Sequence, residues 1–291
     1  MTHLVFGTLR KIALACAVIP ALAGAAQAQD RFDCREYDGR TTARIIGGAL
    51  APIEDFPWIV SLTISRPYSV AICGGTVLNA SWVLTAAHCV AEGTAGSNRT
   101  VDGEQITLRH KSASRSSGGQ TYRGQAVFIP RAYAHDPNGA PFDIALIKLA
   151  EPMTIENRKQ VIQLQNPALA ERLASPGACA TTLGWGSTET VVFSDLLQQA
   201  SLPIARQEDC VAFNPQKVDA TMLCAGHEKG GRDSCSGDSG GPLVIYGGPT
   251  GWTQVGIVSW GPTPCGQAGN YGVYTRVSDY IGWIQSIIQA S

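Results

Sequence analysis

A serine set among small residues, Gly237-Asp238-Ser239-Gly240-Gly241-Pro242, is the segment of this 291-residue chain best suited to covalent chemistry. A serine hydroxyl is a weak nucleophile until a base takes its proton and amide groups await the oxyanion. Glycines on both sides permit a tight turn and let a peptide backbone approach closely. The same Gly-x-Ser-x-Gly string also occurs as an ordinary turn, and as the nucleophile elbow of an unrelated hydrolase fold. Two further segments narrow the choice. Thr85-Ala86-Ala87-His88-Cys89 supplies a candidate base, and Asp143-Ile144-Ala145-Leu146 places an acid at the head of a β-like run. The chain order His88, Asp143, Ser239 excludes the elbow, which requires serine, then acid, then histidine. The other histidines, His3, His110, His135 and His227, have no comparable neighbours.

Together these segments resemble the trypsin/chymotrypsin family of serine endopeptidases, from Ile45 to about Ile288. The resemblance implies that Ser239 is the nucleophile, His88 the base, and Asp143 the group that orients and charge-compensates the imidazole. It also implies that Ser259 bonds to the buried Asp143. The backbone N–H groups of Gly237 and Ser239 would form the oxyanion hole. Asp233, six residues ahead of Ser239, matches the acid at the base of a trypsin-type primary pocket. Ser234, Ser259 and Trp260 would line that pocket, with Gly261 and Gly272 as the small wall residues. A buried carboxylate calls for a cationic partner, so cleavage after Arg or Lys is expected. Arg44-Ile45-Ile46-Gly47-Gly48 resembles the family's activation junction. Cutting after Arg44 would free an Ile45 ammonium to pair with Asp238, which makes the uncut chain an expected zymogen. Thr42-Ala43-Arg44 would itself suit the Asp233 pocket, so self-activation is a further hypothesis. An inactive relative serving as a binding module is the competing class. Such relatives normally lose a triad residue or the junction, and this chain keeps both.

The resemblance also bears on ions. Trypsins that hold Ca²⁺ carry glutamates in a first-barrel loop, and residues 108–120 contain no acid, so no metal of that type is expected. Tyr271 stands where Na⁺-binding relatives often have tyrosine. Na⁺ is therefore the one ion suggested, against the plainer reading of a strand tyrosine. Asn79-Ala80-Ser81 and Asn98-Arg99-Thr100 fit glycosylation sequons.

Arg10 and Lys11 precede an apolar run over residues 12–23, and Ala26-Gln27-Ala28 offers a small-residue cleavage site. Residues 1–28 therefore read as a secretory signal peptide, with an apolar run too short to span a bilayer. Residues 29–44 follow as the activation segment and 45–291 as the peptidase domain. The expected location is extracellular, or periplasmic in a bacterium, and the cleavage site leans bacterial. A net charge of −1 offers no basic surface to nucleic acid or anionic membrane. The expected partners are protein or peptide substrates and protein inhibitors of proteases. No nucleic acid is expected, and no membrane contact after signal cleavage.

One of the nine cysteines, Cys16, falls in the apolar run, leaving eight. An even count in an exported chain reads as disulfides, and no Cys-x-x-Cys pair argues for metal instead. The family resemblance implies the pairs Cys73–Cys89, Cys210–Cys224 and Cys235–Cys265. Cys34 and Cys179 remain, and a bond between them would hold the activation segment to the body after cleavage.

These groups require a rigid frame. Residues 58–64, 253–260 and 272–277 are strand-length and β-rich, and 32 glycines suit many short strands with tight turns. Residues 91–124 are polar and Ser/Gly-rich, and read as exposed loop and hairpin. Tyr280, Trp283, Ile284, Ile287 and Ile288 recur at helical spacing behind Ser278 or Asp279 as a cap. The fold class is therefore all-β. The family resemblance implies two six-stranded antiparallel β-barrels with a C-terminal α-helix. The first barrel is expected over about 45–163, the second over about 164–277 and the helix over about 278–290. The crossover is placed at residues 164–176, and the site between the barrels.

Overall fold

The computed structural model describes Met1, Cys34 and residues 48–136, 138–188, 191–214, 217–248 and 251–291. Residues 2–28 of the expected signal peptide and the expected Arg44–Ile45 junction lie outside the described residues.

Six strands close the first barrel. They are β1 (Ile59–Arg66), β2 (Ser69–Asn79), β3 (Trp82–Thr85), β4 (Ile106–His110), β5 (Gln120–Phe128) and β6 (Ala145–Leu149), in the order β1-β2-β3-β6-β5-β4. Pro67 and Tyr68 turn the first hairpin, where Arg66 pairs with Ser69. The barrel is filled by Val60, Leu62, Ile64, Leu84, Ile106, Leu108 and Leu146, all fully buried. At roughly 25 cal/mol per Å² of apolar surface, each such side chain contributes about 1.5–3 kcal/mol.

The polar stretch 91–124 is thus only partly surface. It contains β4 and the start of β5, whose alternation is short enough to be lost among serines and glycines. Its loop also reaches across the molecule. Trp185 Nε1 donates to Ala113 O at 2.8 Å, and Ser114 bridges to Leu196.

The second half contains β7 (Cys179–Gly184), β8 (Gln198–Pro203), β9 (Met222–Ala225), β10 (Pro242–Gly248), β11 (Gly251–Trp260) and β12 (Gly272–Arg276). Its sheet runs β8-β7-β10-β11-β12-β9, with a seventh strand, Ala49–Leu50, added outside β8. The ends of this sheet meet through a single bridge, Ile204 to Ala225, so the ring closes less fully than the first. Two features account for that. β9 has only four residues, and Ala49–Leu50 occupies the outer edge of β8 at Gln198 and Gln199. Followed round the ring, both halves have the same circular strand order.

A helix, α2 (Pro167–Leu173), lies in the crossover and is capped by Asn166, which accepts from Leu169 N. Another helix, α3 (Gln207–Phe213), follows β8, and the final helix, α4 (Ile281–Ala290), follows a 3₁₀ turn, Val277–Tyr280, that contains Ser278 and Asp279. Neither residue caps the helix, because the tighter turn already supplies its first turn. Val277, Tyr280 and Ile284 are buried in the first barrel's core, with Trp283, Ile287 and Ile288 packed against it.

Candidate functional site

Thr85, the last residue of β3, pairs with Ala145, the first of β6. Three residues past one and two before the other stand His88 and Asp143, so strand pairing alone delivers both to one end of the barrel. His88 sits on the single turn α1 (Ala87–Val90), pinned to β2 by the Cys73–Cys89 disulfide. Its Nδ1 lies 2.8 Å from Asp143 Oδ2, and its backbone N–H donates to Asp143 Oδ1 at 2.8 Å.

The second half completes this contact. Between Val258 and Trp260 the register of β11 against β12 slips, and the bulge aims Ser259 out of the ladder. Ser259 Oγ donates to Asp143 Oδ2 in a short hydrogen bond, and Thr275 Oγ1 donates to Asp143 O at 2.7 Å. Asp143 is thus buried but well supplied with donors.

Burial alone would lower the His88 pKa, yet the charge and hydrogen bond of Asp143 outweigh it, so the net shift is upward. Burial likewise works to raise Asp143, and the His88 charge with the His88 and Ser259 bonds brings it below the usual carboxylate value. The imidazolium is the form this pair favours. Cys73, His88 and Cys89 cluster closely enough to suggest a metal triad, but the disulfide occupies both sulfurs.

Ser239 lies in the turn before β10 and lines one cleft of about 380 Å³ together with His88, Asp143, Ser234, Cys235, Ser236, Ser259, Trp260 and Gly261. Among the described residues no hydrogen bond joins Ser239 to His88. Such bonds are often loose without substrate and tighten in the reacting complex. The turn is held against the first barrel by Gly74 N donating to Ser239 O at 2.8 Å. A Cβ on Gly74 would stand 2.8 Å from Gly241 Cα, too close for any side chain at position 74. Gly237 has φ +97, a left-handed conformation costly to any other residue.

Two more carboxylates are buried nearby. Asp238 accepts from Gly186 N at 2.8 Å and Cys235 N at 2.9 Å, with no cation beside it among the described residues. Burial pushes its pKa up to about 6 against the pull of those two amides. Asp233 is also pushed by burial to about 6, the Gly266 and Ser234 amides opposing. Its Oδ2 accepts from Gly266 N at 2.9 Å, while Oδ1 has no hydrogen-bond partner among the described residues. Asp233 is not itself among the residues that line the cleft. It lies against Gly272, where a Cβ would come within 2.9 Å of Oδ1. Gly261 faces Gly272 across the gap, and Ser234 Oγ lies 3.1 Å from Tyr274 OH.

The opposite rim comes from the first half. Gly139 presses its backbone onto the Trp260 ring, which also stacks on Phe213 at 6.4 Å. Tyr271 packs edge-on to Phe213. Lys217 Nζ reaches Asn138 O at 3.2 Å and Asp136 Oδ2 at 3.5 Å, joining the two rims. The Thr275 bond, the Gly186 amide and the Gly139–Trp260 contact were not legible beforehand, since each links residues far apart in sequence with no motif around them. Among the described residues the disulfides are Cys34–Cys179, Cys73–Cys89, Cys210–Cys224 and Cys235–Cys265.

A family model described as Trypsin matches residues 45–284. Clotting factor C of Tachypleus tridentatus is 34% identical over 271 residues, covering 88% of this chain and 26% of that protein. Limulus clotting factor C of Carcinoscorpius rotundicauda gives the same identity and coverage. Trypsin 5G1 of Aedes aegypti is 35% identical over 253 residues, 85% of this chain and 86% of that protein. The chain therefore spans about a quarter of the two clotting factors and most of Trypsin 5G1. None of these relatives lends support to the bacterial source expected from the signal cleavage site.

Proposed function

The chain belongs to the trypsin family and is a serine endopeptidase, and from that premise we propose that it cleaves after Arg and Lys through an acyl-enzyme. Ser239 Oγ attacks the carbonyl carbon while His88 Nε2 takes its proton. The oxyanion settles between the N–H groups of Gly237 and Ser239. His88 then returns the proton to the departing amine, and water attacks the acyl-enzyme by the same route. Asp143 keeps Nδ1 protonated and compensates the transient cation. The observation that carries this reading is the 2.8 Å contact of His88 Nδ1 with Asp143, in a cleft that Ser239 also lines.

Specificity rests on Asp233. A substrate guanidinium or ammonium would complete the hydrogen bonding of Oδ1 and draw the carboxyl into its ionised form. Asp238 supports the zymogen reading in the same way. It is a fully buried carboxylate held, among the described residues, only by amides, and the Ile45 ammonium released by cleavage after Arg44 would supply its cation. Stranding one member of such a pair costs roughly 3–5 kcal/mol, so the turn carrying Gly237 and Asp238 should be less stable in the uncut chain than after cleavage. The protein is proposed to be secreted; no helix among the described residues is long and apolar enough to cross a membrane. A sodium response at Tyr271 is a separate expectation, checked by comparing turnover in NaCl and choline chloride.

The test is to cut the purified chain after Arg44 with a trace of trypsin, block the trypsin selectively, and assay Arg, Lys, Phe and Ala anilides. Arg and Lys turnover absent from Ser239→Ala supports the whole reading. Phe turnover instead would remove Asp233 from the pocket. No turnover with Ile45 verified as the new terminus refutes the proposed chemistry.

A further inference from the structure

Arg66 closes β1 at the hairpin where it pairs with Ser69. Tyr68 and Val70 at that hairpin are exposed, whereas Arg66 is half-buried and its side chain turns back onto the barrel. Its Nη2 donates to Cys89 O at 2.9 Å and to Ala91 O at 3.1 Å. These carbonyls stand on either side of Val90, the residue at which α1 ends. The last carbonyls of a helix have no partner inside it, and here the whole helix is one turn. Val90 O is taken by Val101 N at 2.9 Å, so three successive carbonyls at the exit are claimed from outside the turn. Two of the three go to a guanidinium, whose charge-assisted bonds are roughly twice as strong as neutral ones.

Asp143 holds the start of the same turn through the His88 N–H, and the Cys73–Cys89 disulfide holds its middle. We infer that Arg66 is a positioning residue for the catalytic base: it fixes where the α1 turn ends, and so where His88 stands between Asp143 and Ser239. This inference rests on the proposed chemistry of His88 and deepens it. The guanidinium acts on the imidazole by charge as well. Burial works against the imidazolium, the charge and bond of Asp143 favour it and prevail, and the Arg66 charge opposes it. Other titratable groups near His88 among the described residues are His135 and Asp136 on the cleft rim, with Lys217 bonded to Asp136. The Glu92–Arg99 pair lies just beyond α1. Tyr133 lines the cleft with its hydroxyl 3.2 Å from His135 Nδ1, and burial keeps it neutral. Substituting Arg66 alters none of these groups.

The test compares Arg66→Met, Arg66→Gln and Arg66→Lys by two readouts. One is Arg anilide kinetics of the activated enzyme across pH. The other is titration of the His88 imidazole by NMR in a Ser239→Ala background, which needs no turnover. Arg66→Met should lower kcat roughly tenfold with KM within about twofold, as when a base is displaced by a fraction of an ångström. Its acid limb and its His88 titration should both move to higher pH. Arg66→Gln, a neutral donor, should recover part of kcat and leave the limb displaced. Arg66→Lys keeps the charge and its donors, and should restore the limb and most of kcat. Unaltered kcat and titration in Arg66→Met would overturn the inference. So would an Arg66→Lys as impaired as Arg66→Met in both readouts, since that would mark Arg66 as packing alone. If the unaltered enzyme turns over no Arg anilide while the NMR titration responds to Arg66→Met as expected, the proposed chemistry falls and the positioning of His88 stands.

Discussion

At the scale of single residues, Asp143 and Asp233 differ in what surrounds them, and their titration should differ accordingly. The net upward shift of His88 places the acid limb of activity above the ordinary histidine value, and turnover should rise as pH passes through the shifted value. The charged His88–Asp143 pair stabilises the fold fully below the unfolded histidine pKa, near ~6.5, and that contribution disappears as pH rises through the raised folded value. The protein should thus gain activity where it loses this portion of stability. A kcat/KM profile set beside urea melts over the same pH range checks both signs. Asp233 titrates the other way about. Its pKa of about 6 means a cationic amidine such as benzamidine should bind uniformly above that pH. Below it, affinity should fall about tenfold per unit as the carboxyl protonates. Calorimetry in a His88→Ala background removes the competing imidazolium, and a flat affinity from pH 4.5 to 7.5 would count against Asp233 as the cation's partner. The identity of these residues was legible because each carries a short motif. Their electrostatics were not, since the burial and the Gly266 and Gly186 amides that act on Asp233 and Asp238 come from elsewhere in the chain.

At the scale of elements, β2 and the serine turn meet through Gly74 and Gly241 with no room for a methyl group. Gly74→Ala should force the turn away from the barrel, costing about 1–3 kcal/mol by overpacking and lowering kcat more than it changes KM. Urea unfolding with anilide kinetics reads both, and an unaffected kcat would show that the serine turn is not positioned by β2. The motifs marked where chemistry sits, yet the sequence did not reveal that the two halves share one circular strand order. Strands of four to eleven residues have in common only alternation and turn glycines, so a repeated architecture leaves no repeated letters. The bulge at Ser259 was invisible for a similar reason. It appears only as a register slip against β12.

For the whole molecule, two ties outlast any local description. The Cys34–Cys179 bond spans the Arg44 junction, so cleavage there should leave two chains that separate only on reduction. Gels run with and without reductant, on material with Ile45 verified as a new terminus, check this; release of the short chain without reductant would contradict the bond. The other tie is α4, which follows the second half yet fills the first half's core. A chain ending at Tyr280 loses Ile284 from that core. It should be destabilised by at least the 2–5 kcal/mol of a large-to-small substitution, measurable by urea melts, with turnover falling in parallel. That arrangement also sets an order of events during synthesis. The ribosome delivers the strands that flank His88 and Asp143 early, and the residues that seal their core long after them. The half made first is therefore completed only after the half made second.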